Sequence, residues 1–117
     1  MIKAMVFLSR RDGMSREEFE RYMRNEHAAL VTRLTGLRRL VINRVLPNPN
    51  SPPPGHDAVV EYWFDDLAAM RTAFASPEGQ AVNADAPNFL DNSRFQLLIV
   101  EEEEISLPTE TAVTAPG

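Results

Sequence analysis

The most regular hydrophobic pattern of the chain lies in residues 14–37 and predicts an amphipathic helix. Ser15 and Glu18, three residues apart, have the spacing of a capping box at its start. Gly36 predicts a left-handed end to the helical segment. Apolar side chains recur between these ends at steps of three, four and seven residues, namely Phe19, Tyr22, Met23, Leu30, Val31 and Leu34.

Four further apolar segments have the length and composition of strands, at residues 2–9, 38–46, 58–64 and 94–103. Residues 47–57 are rich in proline, which offers no amide donor, and predict an exposed loop. A second helical region should follow the third strand, capped by Asp65 or Asp66. Its restart at Ser76, followed by a proline in the first helical position, predicts another helix that ends at Pro87.

The resulting order of strand, helix, strand, strand, helix, strand predicts an α+β fold of the ferredoxin-like βαββαβ type. In that fold a four-stranded antiparallel sheet carries helices on one face. The third strand should turn Val59, Glu61 and Trp63 to the other face, where Val59 and Trp63 would be wet in a monomer. We therefore expect a homodimer with two-fold symmetry and facing sheets, a dimeric α/β barrel, in which Glu61 contacts Arg39 or Arg44.

Composition limits the remaining classes of protein. One domain is expected over residues 1–105, followed by a disordered tail over residues 106–117. Without an apolar run of ~18 residues or a signal-peptide pattern, no membrane partner is expected. Since the chain has no cysteine, a reducing cytoplasm is the expected location. The net charge of −5 argues against nucleic acid as a partner.

The charge is unevenly distributed along the chain. Residues 1–56 hold ten basic and five acidic groups, whereas residues 57–117 hold two basic and twelve acidic groups. One interpretation is that the acidic excess lies on solvated faces and in the run of glutamates at residues 101–104. The other is that the basic half attracts an anionic ligand or the acidic half of a second subunit.

His27 interrupts the apolar stripe of the first helix and is the first candidate for acid–base chemistry. It lies four residues after Met23 and four before Val31, so it should point towards the core or a pocket. A histidine on a buried helix face is more often structural than functional. The other histidine, His56, lies in the proline-rich loop, and only histidine titrates near neutral pH without special tuning.

The chain resembles the EthD family of the dimeric α/β-barrel superfamily over most of residues 3–103. The resemblance rests on residues 10–39 and 61–91, above all on the His-Ala-x-Leu motif that begins at His27 and on the ASPEG motif of residues 75–79. It departs from the family pattern at Ala29, where proline is common, and at Met23, where an aromatic residue is common.

The resemblance implies a ferredoxin-like fold that pairs into a barrel, and a histidine on the first helix that faces a pocket, here His27. Relatives with this architecture include muconolactone isomerases, aromatic polyketide cyclases and cofactor-free or haem-degrading monooxygenases. A base near pH 7 in an apolar cavity suffices for an isomerase or cyclase. Candidate binding residues, each more commonly plain core, are Tyr62, Phe64, Phe89 and Leu90, with Tyr22 off the face of His27 and at the pocket's edge.

Neither a metal nor a cofactor is expected. Two histidines without ligand spacing do not indicate a metal site, and no glycine-rich nucleotide motif occurs. Haem would have only His27 as a ligand.

Two classes of function remain open. The first is a cofactor-independent isomerase, cyclase or oxygenase that acts on a small hydrophobic carbonyl or aromatic compound. The second is a non-catalytic protein that binds such a metabolite or assists an oxidative degradation pathway. A His27 that a ligand can reach favours the first class. A filled cavity with His27 bonded to backbone favours the second.

Overall fold

A computed structural model describes residues 1–109 and contains one antiparallel sheet of four strands in the order β2-β3-β1-β4. The ferredoxin-like prediction is confirmed. Residues 106–109 are exposed, and the rest of the predicted tail lies outside the described residues. The strands are β1 (Ile2–Leu8), β2 (Arg39–Arg44), β3 (Ala58–Phe64) and β4 (Gln96–Glu101).

The helices connect β1 to β2 and β3 to β4. The first connection consists of α1 (Arg16–Tyr22), a π-helical turn (Met23–His27) and α2 (Ala28–Val31). The second consists of α3 (Leu67–Ala75), α4 (Pro77–Asp85) and two 3₁₀ turns, Ala86–Asn88 and Asn92–Arg94. Within the described part of the chain, no helix is long and apolar enough to cross a membrane.

The predicted ends of the first helical segment are largely confirmed. The side chains of Ser15 and Glu18 form the reciprocal capping box. The φ of Gly36 is positive, as predicted, with a value of 85°. Residues with a Cβ rarely adopt this backbone conformation. The regular helix nevertheless stops at Val31, and turns complete the segment.

The second helical region is held together by two caps and a tight corner. Asp66 caps α3 by accepting the amide of Ala69, and Ser76 caps α4 by accepting the amide of Gly79. A Cβ at Gly79 would lie 2.5 Å from the carbonyl oxygen of Ala73, closer than packing allows. Glycine is therefore required in the ASPEG motif, because α3 and α4 meet there almost without a gap.

The core lies between the sheet and the helices. The face of β3 that carries Ala58, Val60, Tyr62 and Phe64 is buried, as its alternation predicts. The side chains of Phe19, Met23 and Val31 in the first helical segment pack into the same core cluster. This is the layer in which the candidate site is formed.

The open face of the sheet differs from the prediction. Trp63 is only 5% exposed in a single chain, because Lys3 and Arg39 lie 4.9 and 4.6 Å from its ring centroid. Its indole nitrogen donates to Glu102 at 2.9 Å. The expectation that Trp63 would be wet in a monomer is wrong, since long charged side chains cover flat aromatic surface with their stems.

Glu61 has two hydrogen-bond partners on the open face of its own chain. Its Oε2 accepts from Lys3 at 2.6 Å and its Oε1 from Asn43 at 2.8 Å, both within the same chain. Within one chain Glu61 forms its ion pair with Lys3 of the neighbouring strand β1. The contact with Arg39 or Arg44 was predicted across a dimer and stays a prediction.

Three of the basic groups in the first half of the chain form ion pairs with the acidic second half. In each, a basic residue from the first half meets an acidic residue from the second, as in Lys3–Glu61, Arg10–Asp57 and Arg38–Asp65. The two halves of the sequence therefore attract each other inside one fold, without a second subunit.

Candidate functional site

An apolar cavity of about 320 Å³ opens between the helix layer and the sheet. This volume lies at the lower end of the range for small-molecule sites and would hold a compound of roughly one or two rings. The polar side chains on its wall are those of His27, Tyr62, Arg71 and Asn83. Its apolar wall consists of Val6, Leu8, Leu67, Met70, Phe74, Val82, Ala86, Leu90, Phe95, Leu97 and Ile99.

The π-helical turn determines the orientation of His27. The amide of Ala28 donates to the carbonyl of Met23, five residues earlier, instead of to the residue four back. In an α-helix, positions five apart differ by about 140° around the axis. The wider turn brings Tyr22 and His27 to the same side, which the sequence-based spacing does not predict. Such π turns occur often at functional sites.

Asp85, the last residue of α4, joins His27 and Tyr22. Its Oδ2 lies 2.8 Å from Nδ1 of His27, and its Oδ1 accepts from the Tyr22 hydroxyl at 2.6 Å. Asn88 donates to the same Oδ1 at 2.9 Å. The side chains of His27 and Asp85 are only 8% and 11% exposed, so this cluster is largely shielded from water.

The cluster keeps Asp85 ionised. Burial opposes its charge, but hydrogen bonds from Tyr22, Asn88 and His27 outweigh burial and hold the pKa of Asp85 below its ordinary value. The bond to Asp85, aided by burial, raises the pKa of Tyr22 and keeps its hydroxyl protonated. An ionised carboxylate only accepts hydrogen bonds, so Nδ1 of His27 carries the donated proton.

The other ring nitrogen of His27 is then left available. No group in residues 1–109 forms a hydrogen bond with Nε2, yet no buried side-chain nitrogen or oxygen there lacks a partner. Nε2 is therefore accessible, and His27 belongs to the cavity wall. A neutral imidazole whose Nδ1–H is held by a carboxylate presents Nε2 as a proton acceptor.

The ring of Phe89 packs against the imidazole of His27. Its ring centroid lies 4.6 Å from that of His27 and 5.1 Å from that of Tyr22. The segment is tied to the end of β1, because the carbonyl of Phe89 accepts from the amide of Arg11 and the amide of Asp91 donates to the carbonyl of Ser9. The sheet thus positions the surface on which His27 rests.

The predicted site residues fall into three places. His27, Tyr62 and Leu90 meet at the cavity. Tyr22 and Phe89 lie behind His27, and Phe64 is fully buried against Phe74, away from the wall. Burial raises the pKa of Tyr62, so near neutral pH its hydroxyl can donate a hydrogen bond but does not act as a base.

Asp85, Arg71 and Asn83 were not predicted as site residues. Asp85 carried one usable signal, since a carboxylate at the C-terminal end of a helix is opposed by the helix dipole and needs donors nearby. Arg71 falls among the apolar positions Leu67, Met70 and Phe74 of α3. A charged side chain there is unfavourable unless it reaches the edge of the apolar face or the opening of a cavity.

Neither histidine belongs to a group that could hold a metal ion. In the part of the chain that the structure describes, no three His, Cys, Asp or Glu side chains are close enough to do so. His56 is in the proline-rich loop, where its Nδ1 lies 3.2 Å from the hydroxyl of Ser9. It takes no part in the cavity.

Comparison with known proteins gives one family match. The model of the EthD domain matches residues 11–93. An uncharacterised 11.0 kDa protein from the thcB–thcC intergenic region of Rhodococcus erythropolis is 29% identical over 87 residues, which cover 74% of this chain and 82% of that protein.

Solved structures agree on the fold. An EthD family protein from Bacillus halodurans is 25% identical, with a TM-score of 0.76 over 88% of this chain and 99% of that one. A dimeric ferredoxin-like protein from Bacteroides fragilis has a TM-score of 0.62 at 19% identity, over 86% and 95% of the two chains. SnoaB, a cofactor-independent oxygenase from Streptomyces nogalater, has a TM-score of 0.60 at 15% identity, over 89% and 94%.

Proposed function

Because this chain belongs to the EthD family, we propose that it binds a small hydrophobic carbonyl or aromatic compound in the cavity and moves a proton on it. His27 is the proton shuttle, and the chemistry is of the isomerase, cyclase or oxygenase type without a bound cofactor. The cofactor-independent oxygenase SnoaB supports this only through a shared fold.

One observation carries the proposal, namely the pairing of His27 with Asp85 at the wall of an apolar cavity. A His27 that was merely structural would use both ring nitrogens or donate to backbone. Here Nδ1 is held by a carboxylate and Nε2 is accessible. The apolar side chains of the wall lower the local dielectric constant, which strengthens the interaction between a base and a polarised substrate.

The proton transfer follows from this geometry. Nε2 takes a proton from a carbon beside a carbonyl, and the ionised Asp85 stabilises the imidazolium that forms. The electron pair left on carbon delocalises to the carbonyl oxygen, to which the Tyr62 hydroxyl can donate. The imidazolium then returns the proton to another atom of the same compound, so His27 is unchanged at the end.

The second class of function, a non-catalytic binding or accessory protein, uses the same cavity without the proton transfer. In a single chain the cavity is open along β4, where its lining residues Leu97 and Ile99 are 45% and 51% exposed. This open side favours the second class of function. The experiment below separates the two classes.

A homodimer is the assembly we propose for this chain. Leu98 on the open face of the sheet is 45% exposed, and its neighbours Met5 and Phe7 are partly exposed, which is an apolar surface that a second sheet would cover. The similar protein from Bacteroides fragilis is dimeric. In solution scattering, wild type should have the mass of a dimer and Leu98→Glu that of a monomer. A monomeric wild type at micromolar concentration would contradict the proposal.

The cytoplasmic location of the protein stays a prediction.

The function is tested with 2-tetralone, a two-ring ketone with exchangeable protons beside its carbonyl. Protein and ketone are mixed in D₂O, and the loss of the α-proton signals is followed by NMR. Wild type should accelerate exchange above the buffer rate, and His27→Gln should return it to that rate. His56→Gln is the matched control and should exchange like wild type, because His56 lies outside the cavity.

Each outcome has a definite meaning. Exchange that needs His27 but not His56 supports the proton shuttle. The ketone could instead bind, as shifts of the cavity methyl signals would show, without any exchange of its α-protons. That result overturns the role of His27 as a proton shuttle for this class of ketone and supports a binding protein. If neither ketone binding nor exchange is found, the cavity is not a site for compounds of this class.

A further inference from the structure

Arg71 is the feature of the cavity that the proposed function does not use. It lies in the middle of α3 and contributes to the wall that also contains His27. Among the lining residues, all within the described part of the chain, Arg71 alone carries a permanent charge. Because its side chain is exposed, the guanidinium marks the mouth of the cavity instead of its floor.

Arg71 is among the arginines that have no carboxylate partner within the described residues. Arg10, Arg16 and Arg38 each form an ion pair with an acidic side chain. No carboxylate within residues 1–109 pairs with Arg71. Most arginines of the described residues share this lack, so what distinguishes Arg71 is its place in the wall of an apolar cavity, where it is free to bind an anion.

We propose that Arg71 recognises a carboxylate on the compound that the cavity binds, so that the ligand is an apolar acid. This inference rests on the proposed function and narrows its substrate class. The planar guanidinium can donate two parallel hydrogen bonds to a carboxylate, while the apolar walls hold the rest of the molecule. Apolar side chains of Leu67 and Phe74, on the same helix, line the cavity beside it.

The arrangement also gives the ligand a direction. The charged end stays at the mouth with Arg71, where water still reaches it and desolvation costs little. The apolar end enters the cavity, whose wall includes His27. The fixed charge would therefore orient the reacting carbon relative to the base, which is a positioning role for Arg71 and not a catalytic one.

The test compares an acid with its neutral amide of the same shape. Binding of 2-naphthoate and 2-naphthamide to the full chain is measured by NMR titration, with the methyl signals of Leu90 and Leu97 as reporters of the cavity. At low ionic strength, wild type should bind the acid about two- to fivefold more tightly than the amide, the range expected of a partly exposed ion pair. Salt should weaken only the acid.

Variants assign the effect to one side chain. Arg71→Gln should remove the preference for the acid and leave the amide within about twofold of wild type, while Arg71→Lys should restore part of the preference. Arg33→Gln is the matched control, because Arg33 is an exposed arginine outside this cavity and should change neither ligand.

The outcomes distinguish this inference from the proposed function. If acid and amide bind equally and Arg71→Gln changes neither, the ligand is not an acid, and the cavity and His27 remain as proposed. If neither compound shifts the cavity methyl signals, the role of Arg71 fails, and the exchange of 2-tetralone alone decides the proposed function. Binding of the acid without such shifts overturns the role of Arg71, because the anion would then be held elsewhere.

Discussion

Two carboxylates on opposite sides of the sheet accept similar hydrogen bonds, but they differ in the chemistry that their partners allow. On the open face, Glu61 accepts from Lys3 and Asn43. On the helix face, Asp85 accepts from Tyr22 and Asn88 and is bonded to His27. Hydrogen bonds hold the pKa of each carboxyl below its ordinary value against the opposing effect of burial.

The difference lies in the partners. Lys3 carries a permanent charge that Glu61 and Glu102 neutralise, so its cluster is electrostatically complete. His27 has a second ring nitrogen without a hydrogen-bond partner in the described residues, and its side chain lines an apolar cavity. A satisfied pair of fixed charges stabilises a surface, whereas a carboxylate that orients an open imidazole leaves one group ready for proton transfer.

The largest expected difference between the two clusters is in stability. Asp85→Ala removes the shared acceptor of three donors in a shielded site and should lower the free energy of unfolding by about 3 kcal/mol. Glu61→Ala should cost about 1 kcal/mol, because Lys3 keeps Glu102 as a partner. Urea denaturation of both variants measures this difference. Equal losses would contradict it.

The next expected effect is the dependence of stability on pH through the cluster of Asp85. Since folding lowers the pKa of Asp85, its charge stabilises the fold above its ordinary value of 3.8, and this contribution is lost as the pH falls through the lower folded value. Asp85→Asn should cost about 2 kcal/mol at pH 7. The gap from wild type should shrink below about pH 4 in urea denaturation. A gap that is constant from pH 7 to pH 2.5 would mean that ionised Asp85 does not stabilise the fold.

Tyr22→Phe should have a smaller effect, because it removes one of the three donors to Asp85. We expect a loss of about 1 kcal/mol in the free energy of unfolding, and a rise in the pKa of Asp85 that an NMR titration of its carboxyl carbon would detect. Tyr62→Phe is the matched control, since Tyr62 does not contact Asp85, and it should leave that pKa unchanged.

Lys3→Gln should have the smallest effect, about 0.5 kcal/mol, because Glu61 keeps Asn43 and Glu102 keeps Trp63 as a hydrogen-bond donor. Its cost should fall in 1 M NaCl, where salt screens the pair of Lys3 with the half-exposed Glu102, whereas the cost of Asp85→Asn should persist. Denaturation curves at low and high salt compare the two. A cost of Asp85→Asn that salt removes would place its cluster in the same class as the open face.

Most of the elements could be predicted from local sequence. The capping box at Ser15, the positive φ at Gly36 and the restart at Ser76 depend on neighbours within a few residues, and the structure confirms them. The alternation of β3 likewise identified the buried face, because side chains in a strand point to opposite sides in turn.

The candidate site was predictable only in part. His27 was evident as a histidine in an apolar stripe, but the π turn that aligns it with Tyr22 has no local sequence signal that we recognise. Asp85 is 58 residues away from His27 along the chain. The error over Trp63 has the same origin, since its cover comes from β1, β2 and the segment after β4.

The amino-acid sequence alone determined the order of the elements, the buried faces and the one histidine within an apolar helix stripe, because periodicity and caps act over single turns and strands. Only the tertiary structure decided which groups surround that histidine. Folding brings the end of α4 to the π turn, where a carboxylate orients His27, and places Arg71 at the mouth of the same cavity. Such contacts join residues distant in sequence, and no local pattern encodes their geometry.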